Sequence, residues 1–375
     1  MARGFGLLAL VWVGGCSAKD PDLQATISGY ARVAELSYVD TLAAARALDA
    51  ALVAFVAAPS ASTLAAAKSA WLDAREPYGQ TEVFRFQGGP IDDDDGPEGL
   101  INAWPLDEAY IDYVDGDADA GIIQDPEGYP VIDAAVLSAA NQPPEVGETS
   151  VSTGYHAVEF LLWGQDTSDT GPGDRPHTDF LAPTPHAERR GTYLTVTSAM
   201  LVGELRSVAD EWAPGTPWRS SFEADPEAGI AAMLKGMAEL SRGELAGERI
   251  TVALDTREQE DEHSCFSDNT HRDTVTAAIG IRNAWRGEYV AFDGTRTEVP
   301  GLRAVAEAVD AELAARLDAQ MDASVAAAEE IGRFDQEIRD EAGRSRLQAV
   351  VDSLDAQTDD LVSLATALGI VLNVE

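Results

Sequence analysis

The sequence predicts an all-α chain of two antiparallel, four-helix-bundle-like halves. Three observations carry this: apolar residues recur at helical spacing over long stretches, strand-like alternation is scarce, and the helical stretches are rich in alanine. Hydrophobic residues make up 45% of the 375, enough for substantial cores. The formal net charge is -39, from 26 basic and 65 acidic residues. That balance repels nucleic acid and anionic lipid and draws cations.

Residues 1–16 stand apart from the fold. A basic start, an apolar run from Gly6 to Gly15 and then Cys16 form an export signal too short to span a bilayer. Its end, Val13-Gly-Gly-Cys16, resembles a bacterial lipoprotein signal, in which Cys16 becomes the lipidated first residue. The expected location is the cell envelope, lipid-anchored, at the periplasm or outer membrane. A plain signal peptide with an incidental cysteine is the alternative. With Cys16 modified, Cys265 stands alone and no intrachain disulfide is expected.

The two halves are expected at 20–190 and 191–375, joined near Pro183 to Arg190 or by a linker from Pro214 to Pro226. From Leu23 to about Ala58, Tyr30, Val33, Leu36, Val39, Leu42 and Leu48 mark one long helix or two short ones. Ser62 or Thr63 is placed to cap the next helix, and Pro77 to bend or end it. Trp71 to Phe86 interleaves aromatics with Arg75, Glu82 and Arg85, a pattern of half-buried paired ions. Asp115-Gly-Asp-Ala-Asp119 has alternating carboxylates but fails as an EF-hand loop, with Ala120 and Pro126 at the positions that need glycine and glutamate. Further helices are expected from Ala187 to Trp212, Ile230 to Leu254, Val275 to Gly287 and Leu302 to Leu372.

Two dense segments carry the chemistry. In Gly154-Tyr-His-Ala-Val-Glu159 a helix puts His156 and Glu159 on one face, three residues apart, inside an apolar run. Buried polar groups need partners. In Glu258 to Asp273, Glu260 and His263 repeat the spacing in reverse order, while Asp268, Asn269 or Thr270 is placed to cap the following helix and His271 stands beside that cap. His177, on a glycine and proline loop, reads as solvated. His156, Glu159, Glu82, Glu260 and His263 are the candidate ligands, with Arg75, Arg85, Asp268 and His271 in support. The implied cofactor is a metal ion.

Gly154 to Glu159 is similar to the glycine, histidine, glutamate motif of the imelysin-like family. Trp71 to Phe86, Arg175-Pro-His-Thr-Asp179 and Glu260 to His271 resemble its branch called iron-regulated protein A. The resemblance implies two four-helix bundles, a periplasmic or surface-anchored location, expression tied to iron supply and a peptidase label. It also puts iron first as the metal ion, with zinc or calcium after it. One histidine cannot make a zincin helix, which needs two histidines four apart.

Three functions follow as expectations. The first is capture of iron, or of an iron-bearing ligand, between the bundles, with a membrane transport partner. The second is a metallopeptidase with Glu159, Glu82 or Glu260 as general base. The third is a structural His156–Glu159 pair with no ligand.

Overall fold

The computed structural model describes residues 21–374, so Cys16 and the export signal lie outside the described residues. Helix α1, Leu23–Ala57, is a single helix whose first turn is capped by Asp22, which accepts from the Ala25 N–H at 3.0 Å. Ile27, Tyr30, Ala34, Tyr38, Leu42 and Leu48 form its buried stripe, whereas Val39 faces outward at 50% exposure. Helix α2, Ala61–Thr81, is capped by Ser60, two residues before the expected Ser62, with Thr63 bonding back to it reciprocally.

Pro77 does not end α2. A proline removes the N–H that would bond the carbonyl four residues back. Here that carbonyl belongs to Asp73, an exposed residue that water can serve. The helix therefore carries Arg75, Pro77 and Tyr78 into the core and delivers Glu82 just past its end.

Residues 82–150 are irregular, with short helical turns such as Glu98–Ile101 and Ala134–Ala140. Then come α3 (Gly154–Trp163), α4 (Ala187–Glu211) and α5 (Pro226–Glu239), which runs on from Leu240 to Thr251 wound as a π-helix. The second half adds α6 (Thr270–Arg286), α7 (Ala311–Glu329) and α8 (Glu341–Ala367). A two-stranded antiparallel ribbon pairs β1, Glu288–Val290, with β2, Arg296–Glu298.

α1 to α4 pack as one group, α5 with its π segment, α6, α7 and α8 as another, and α2 lies against α6 to join them. One continuous hydrophobic core runs through both. The expected boundary at 190/191 falls inside α4, which runs unbroken across it. The stretch Pro214 to Pro226 is no bare linker either. Thr216 caps a helix over Pro217–Ala224 that packs on α1.

The α2–α6 crossing is tight enough to require glycine. A Cβ on Gly280 would come to 2.5 Å from the Gln80 carbonyl oxygen, a backbone atom that cannot rotate away. Gly280→Ala is expected to cost about 1–3 kcal/mol, as overpacking does. Urea unfolding checks it, with Gly203→Ala, where the added atom meets nothing within 4 Å, as the control.

Candidate metal centre

Helix α3 is short and held firmly at its start. Gly154 sits at φ +86, and a Cβ there would meet the Ile101 carbonyl at 2.5 Å, so glycine is required on both counts. The Trp71 indole N–H donates to the Tyr155 carbonyl at 2.9 Å, and the Tyr193 hydroxyl to the Ser152 carbonyl at 2.7 Å. His156 thus enters the first turn of a fixed helix, fully buried.

The expected pair forms. His156 Nδ1 stands 2.9 Å from Glu159 Oε2, and Glu159 Oε1 accepts from the Ser267 N–H at 3.0 Å and the Ser267 hydroxyl at 2.7 Å. Both Glu159 oxygens are therefore engaged, and the residue acts through His156. His156 Nε2, also buried, has no hydrogen-bond partner. Burial, then the nearby His263 and Arg75, hold the His156 imidazole neutral, well below its usual range. Burial, only partly offset by Ser267 and Arg75, pushes the Glu159 carboxyl up to about 8.

The second imidazole meets the first. The His263 ring centre lies 4.7 Å from that of His156, at 71°. Its Nδ1 faces Asp273 Oδ2 at 3.3 Å, an oxygen that also accepts from the Ser264 hydroxyl at 2.5 Å. Burial and Arg249 lower His263 to about 4, against the pull of Asp273. Asp273 Oδ1 accepts from Arg75 Nε at 3.1 Å, and Arg75 Nη1 donates to Asn102 Oδ1 at 2.6 Å. Although burial opposes its charge, Arg75 holds the Asp273 carboxyl well below the usual range. Trp104 covers both imidazoles, its ring centre 4.9 Å from His156 and 6.3 Å from His263.

A cleft of about 320 Å³ opens onto His263, with Trp104, Arg85, Arg249, Glu98 and Glu260 also in its walls, and His156 lies behind His263 and Trp104. Glu82 gives its Oε2 to Arg249 and, at 3.0 Å, to Arg85, while its buried Oε1 has no partner. Those arginines hold it charged despite burial.

Glu260 does not pair with His263. The segment Gln259–Asp261 is a single 3-10 turn that breaks at the extended residue Glu262 before a run of turns over 263–268, so Glu260 and His263 do not share a helical face. Glu260 stands exposed at the cleft, where partial desolvation and then Glu108 and Asp166 raise its carboxyl to about 7. Asp268 caps nothing, and His271 turns its Nδ1 to the Asp268 carbonyl at 3.1 Å.

The donor types suit a metal. Two neighbouring imidazoles, each with Nδ1 against a carboxylate, match the way metal-binding histidines are oriented. Among the described residues, no three histidine, cysteine or acidic side chains are already gathered around one point.

A sequence profile of the family described as imelysin matches residues 34–361. The chain belongs to the imelysin family. Within it, the chain is 30% identical over 279 residues to iron-regulated protein A of Synechococcus elongatus, a match covering 73% of this chain and 65% of that protein. The match thus spans less than two thirds of its relative. Two imelysin-type crystal structures share the fold. One, described as an iron-regulated protein A precursor from Parabacteroides distasonis, superposes with a TM-score of 0.73 at 18% identity, over 94% of this chain and 97% of that one. The other, an imelysin-like protein from Psychrobacter arcticum, has a TM-score of 0.65 at 15% identity, over 97% and 100%.

The imelysin motif thus supplies only part of the site. Asp273, Ser267, Asn102, Trp104 and Arg249 were not among the candidates read from the sequence. Asp273 alone left a trace, as a carboxylate one turn beyond the expected cap.

The buried titrating groups set opposite pH limbs. Unfolded, a histidine titrates near about 6.5 and a glutamate near about 4.3. The imidazoles, lowered by folding, contribute stability that is full above about 6.5 and lost as pH falls. Glu159, raised by folding, makes stability fall as pH rises from about 4.3 to 8. Between pH 6.5 and 8 the unfolding free energy is expected to drop by up to about 1.4 kcal/mol per unit from Glu159 alone. Urea titrations across this range check it, with Glu159→Gln expected to flatten the slope.

Proposed function

We propose that this chain is an envelope protein that binds iron, or an iron-bearing ligand, through His156 and His263 in the cleft beneath Trp104. The observation that carries the reading is the free, buried Nε2 of His156 beside a second imidazole, each ring oriented by its own carboxylate. Imidazole and carboxylate donors suit iron. Glu82, with its unpartnered Oε1, is the proposed third ligand. The acidic wall concentrates cations at the mouth. A bound iron ion would serve as Lewis acid or as cargo.

Protons follow from the pairing. Metal capture needs a lone pair on Nε2 of His156, hence the tautomer with Nδ1–H donating to an ionised Glu159. Below pH 8 the pair holds an extra proton that capture must expel, so affinity is expected to rise with pH up to about 8.

Lipid attachment at Cys16 is the proposed anchor, with a membrane transport partner receiving the iron; among the described residues no helix is long and apolar enough to cross a membrane. Labelling with a fatty acid tests the anchor, and Cys16→Ala is expected to abolish incorporation.

Elemental analysis of the purified chain after iron or zinc loading tests the site, beside Glu159→Gln. Loss of the correct His156 orientation is expected to weaken binding by about 10–100-fold. Metal content near zero in the wild type would end the metal reading. Glu260, raised to about 7 in the same cleft, favours a second reading as general base of a metallopeptidase. Chelator-sensitive proteolysis that disappears in Glu260→Gln would select it.

A further inference from the structure

Leu240–Thr251 runs for 12 residues as a π-helix, a winding found mostly as single turns and often at functional sites. Its bonds reach five residues back, as from the Val252 N–H to the Gly247 carbonyl. Composition does not ask for this winding: Leu240, Glu244, Leu245, Ala246, Glu248 and Arg249 are all good α-helix formers. What the segment touches must hold it.

Arg249 supplies the ties. It donates to Glu244 Oε1 from Nε at 3.0 Å and from Nη2 at 2.7 Å, a pair five residues apart that the π turn sets one above the other. In an α-helix such residues lie about 140° apart around the axis and cannot pair in this way. Arg249 Nη2 also holds Glu82 Oε2, on the 3-10 turn that follows α2. Upstream the helix is pinned separately: a Cβ on Gly236 would come 2.7 Å from the Val83 carbonyl oxygen, and Arg242 binds Asp355 at 3.0 Å and Asp359 at 2.8 Å on α8. Gly243 and Gly247 flank the residues between these fixed points and Arg249, where a change of winding meets least steric resistance.

This arrangement bears on the ion. Glu82 Oε1 is free, but its carboxylate lies between the guanidiniums of Arg249 and Arg85. A metal cation on Oε1 meets both positive charges in a buried setting that screens them little. Arg85 is held in place by Glu98 as well, at 3.2 Å, whereas Arg249 rides on the π turn. We propose that Arg249 is a displaceable guard on Glu82: rewinding the Glu244–Arg249 turn from π to α carries its guanidinium off the carboxylate and frees both Glu82 oxygens for the ion. The inference rests on the iron reading for that ion, and it makes the π winding the resting state.

Distance measurement between spin labels on Glu248→Cys and Ser363→Cys, both exposed, reads the winding in the full chain, where Cys265 is buried. Zinc(II) is the probe ion, because iron would relax the labels. A shift of about 5 Å, half the diameter of a helix, is expected on zinc loading, and the same shift without metal in Arg249→Met. Glu82 keeps its bond to Arg85 in that variant. Glu244→Gln, which weakens the five-residue pair alone, replaces it if the methionine variant misfolds. Zinc affinity is expected to rise about tenfold in Arg249→Met as a like charge leaves, whereas loss of a merely structural ion pair would leave it equal or lower. An unmoved distance in both metal-free variants, or zinc bound at full occupancy with the distance unmoved, would overturn the guard. The iron reading fails separately, on metal content near zero in the wild type, because the metal-free distances are read without any ion.

Discussion

Asp273→Asn is expected to lower the unfolding free energy by about 3–5 kcal/mol, the penalty for stranding a buried charge. The stranded group is Arg75, 2% exposed and boxed by the rings of Trp71, Tyr78 and Tyr155, with its guanidinium carbon 5.1–5.6 Å from each ring centre. Those ring faces favour a cation but do not replace a carboxylate. Asn102 keeps its bond to Nη1, so the loss falls on Nε and Nη2, which asparagine's single oxygen serves without charge. A double variant, Arg75→Met with Asp273→Leu, is expected to recover much of the loss, because apolar residues of similar volume need no counter-charge. Urea unfolding of the three variants checks both statements. A loss under about 1 kcal/mol for Asp273→Asn, the scale of an exposed pair, would mean that the charge is not stranded.

His156→Ala is expected to reduce metal affinity by more than the 10–100-fold typical of losing an orienting partner. The difference is one of role. Glu159 acts through a ring nitrogen, whereas His156 supplies the free Nε2 itself. Truncation also leaves Glu159 with the Ser267 donors as its hydrogen-bond partners. Circular dichroism separates binding loss from misfolding, and competition against a metal-binding dye reads the affinity. Equal affinities in His156→Ala and wild type would remove the imidazole pair from the site.

What could be read from the sequence was governed by local spacing. His156 and Glu159 pair because i, i+3 on a helix brings them together whatever else the chain does, and α3 is a helix. The same logic misled at Glu260 and His263, where the backbone leaves the helical register. The long helix α1, with its buried stripe, followed from periodicity alone. Arg75 and Asp273 lie 198 positions apart and meet because α2 crosses α6, a contact set by glycine and packing that no spacing announces. Ser267 acts through a backbone N–H as well as its hydroxyl, and backbone donors have no residue signature. Glu82 was recognisable as a buried charge, but its partner Arg249 sits on a π-helix, whose wider winding takes side chains out of the 3.6-residue register.

Boundaries were less legible than elements. Proline at 77 and the proline-rich stretch at 214–226 both carry the local chemistry of breaks. Tertiary packing overrode that in the first case, and Thr216 with Pro217 turned the second into a capped helix start.

The most direct measurement is an anomalous-difference map from a crystal of the chain soaked in iron, collected at the iron edge. A peak within about 2.0–2.2 Å of the Nε2 atoms of both His156 and His263, the ligating range of imidazole on a transition metal, is the result this account predicts, with Glu159 outside the coordination sphere. A peak bound to Glu159 and not to His156, or a fully loaded crystal with no peak beside either imidazole, would contradict it.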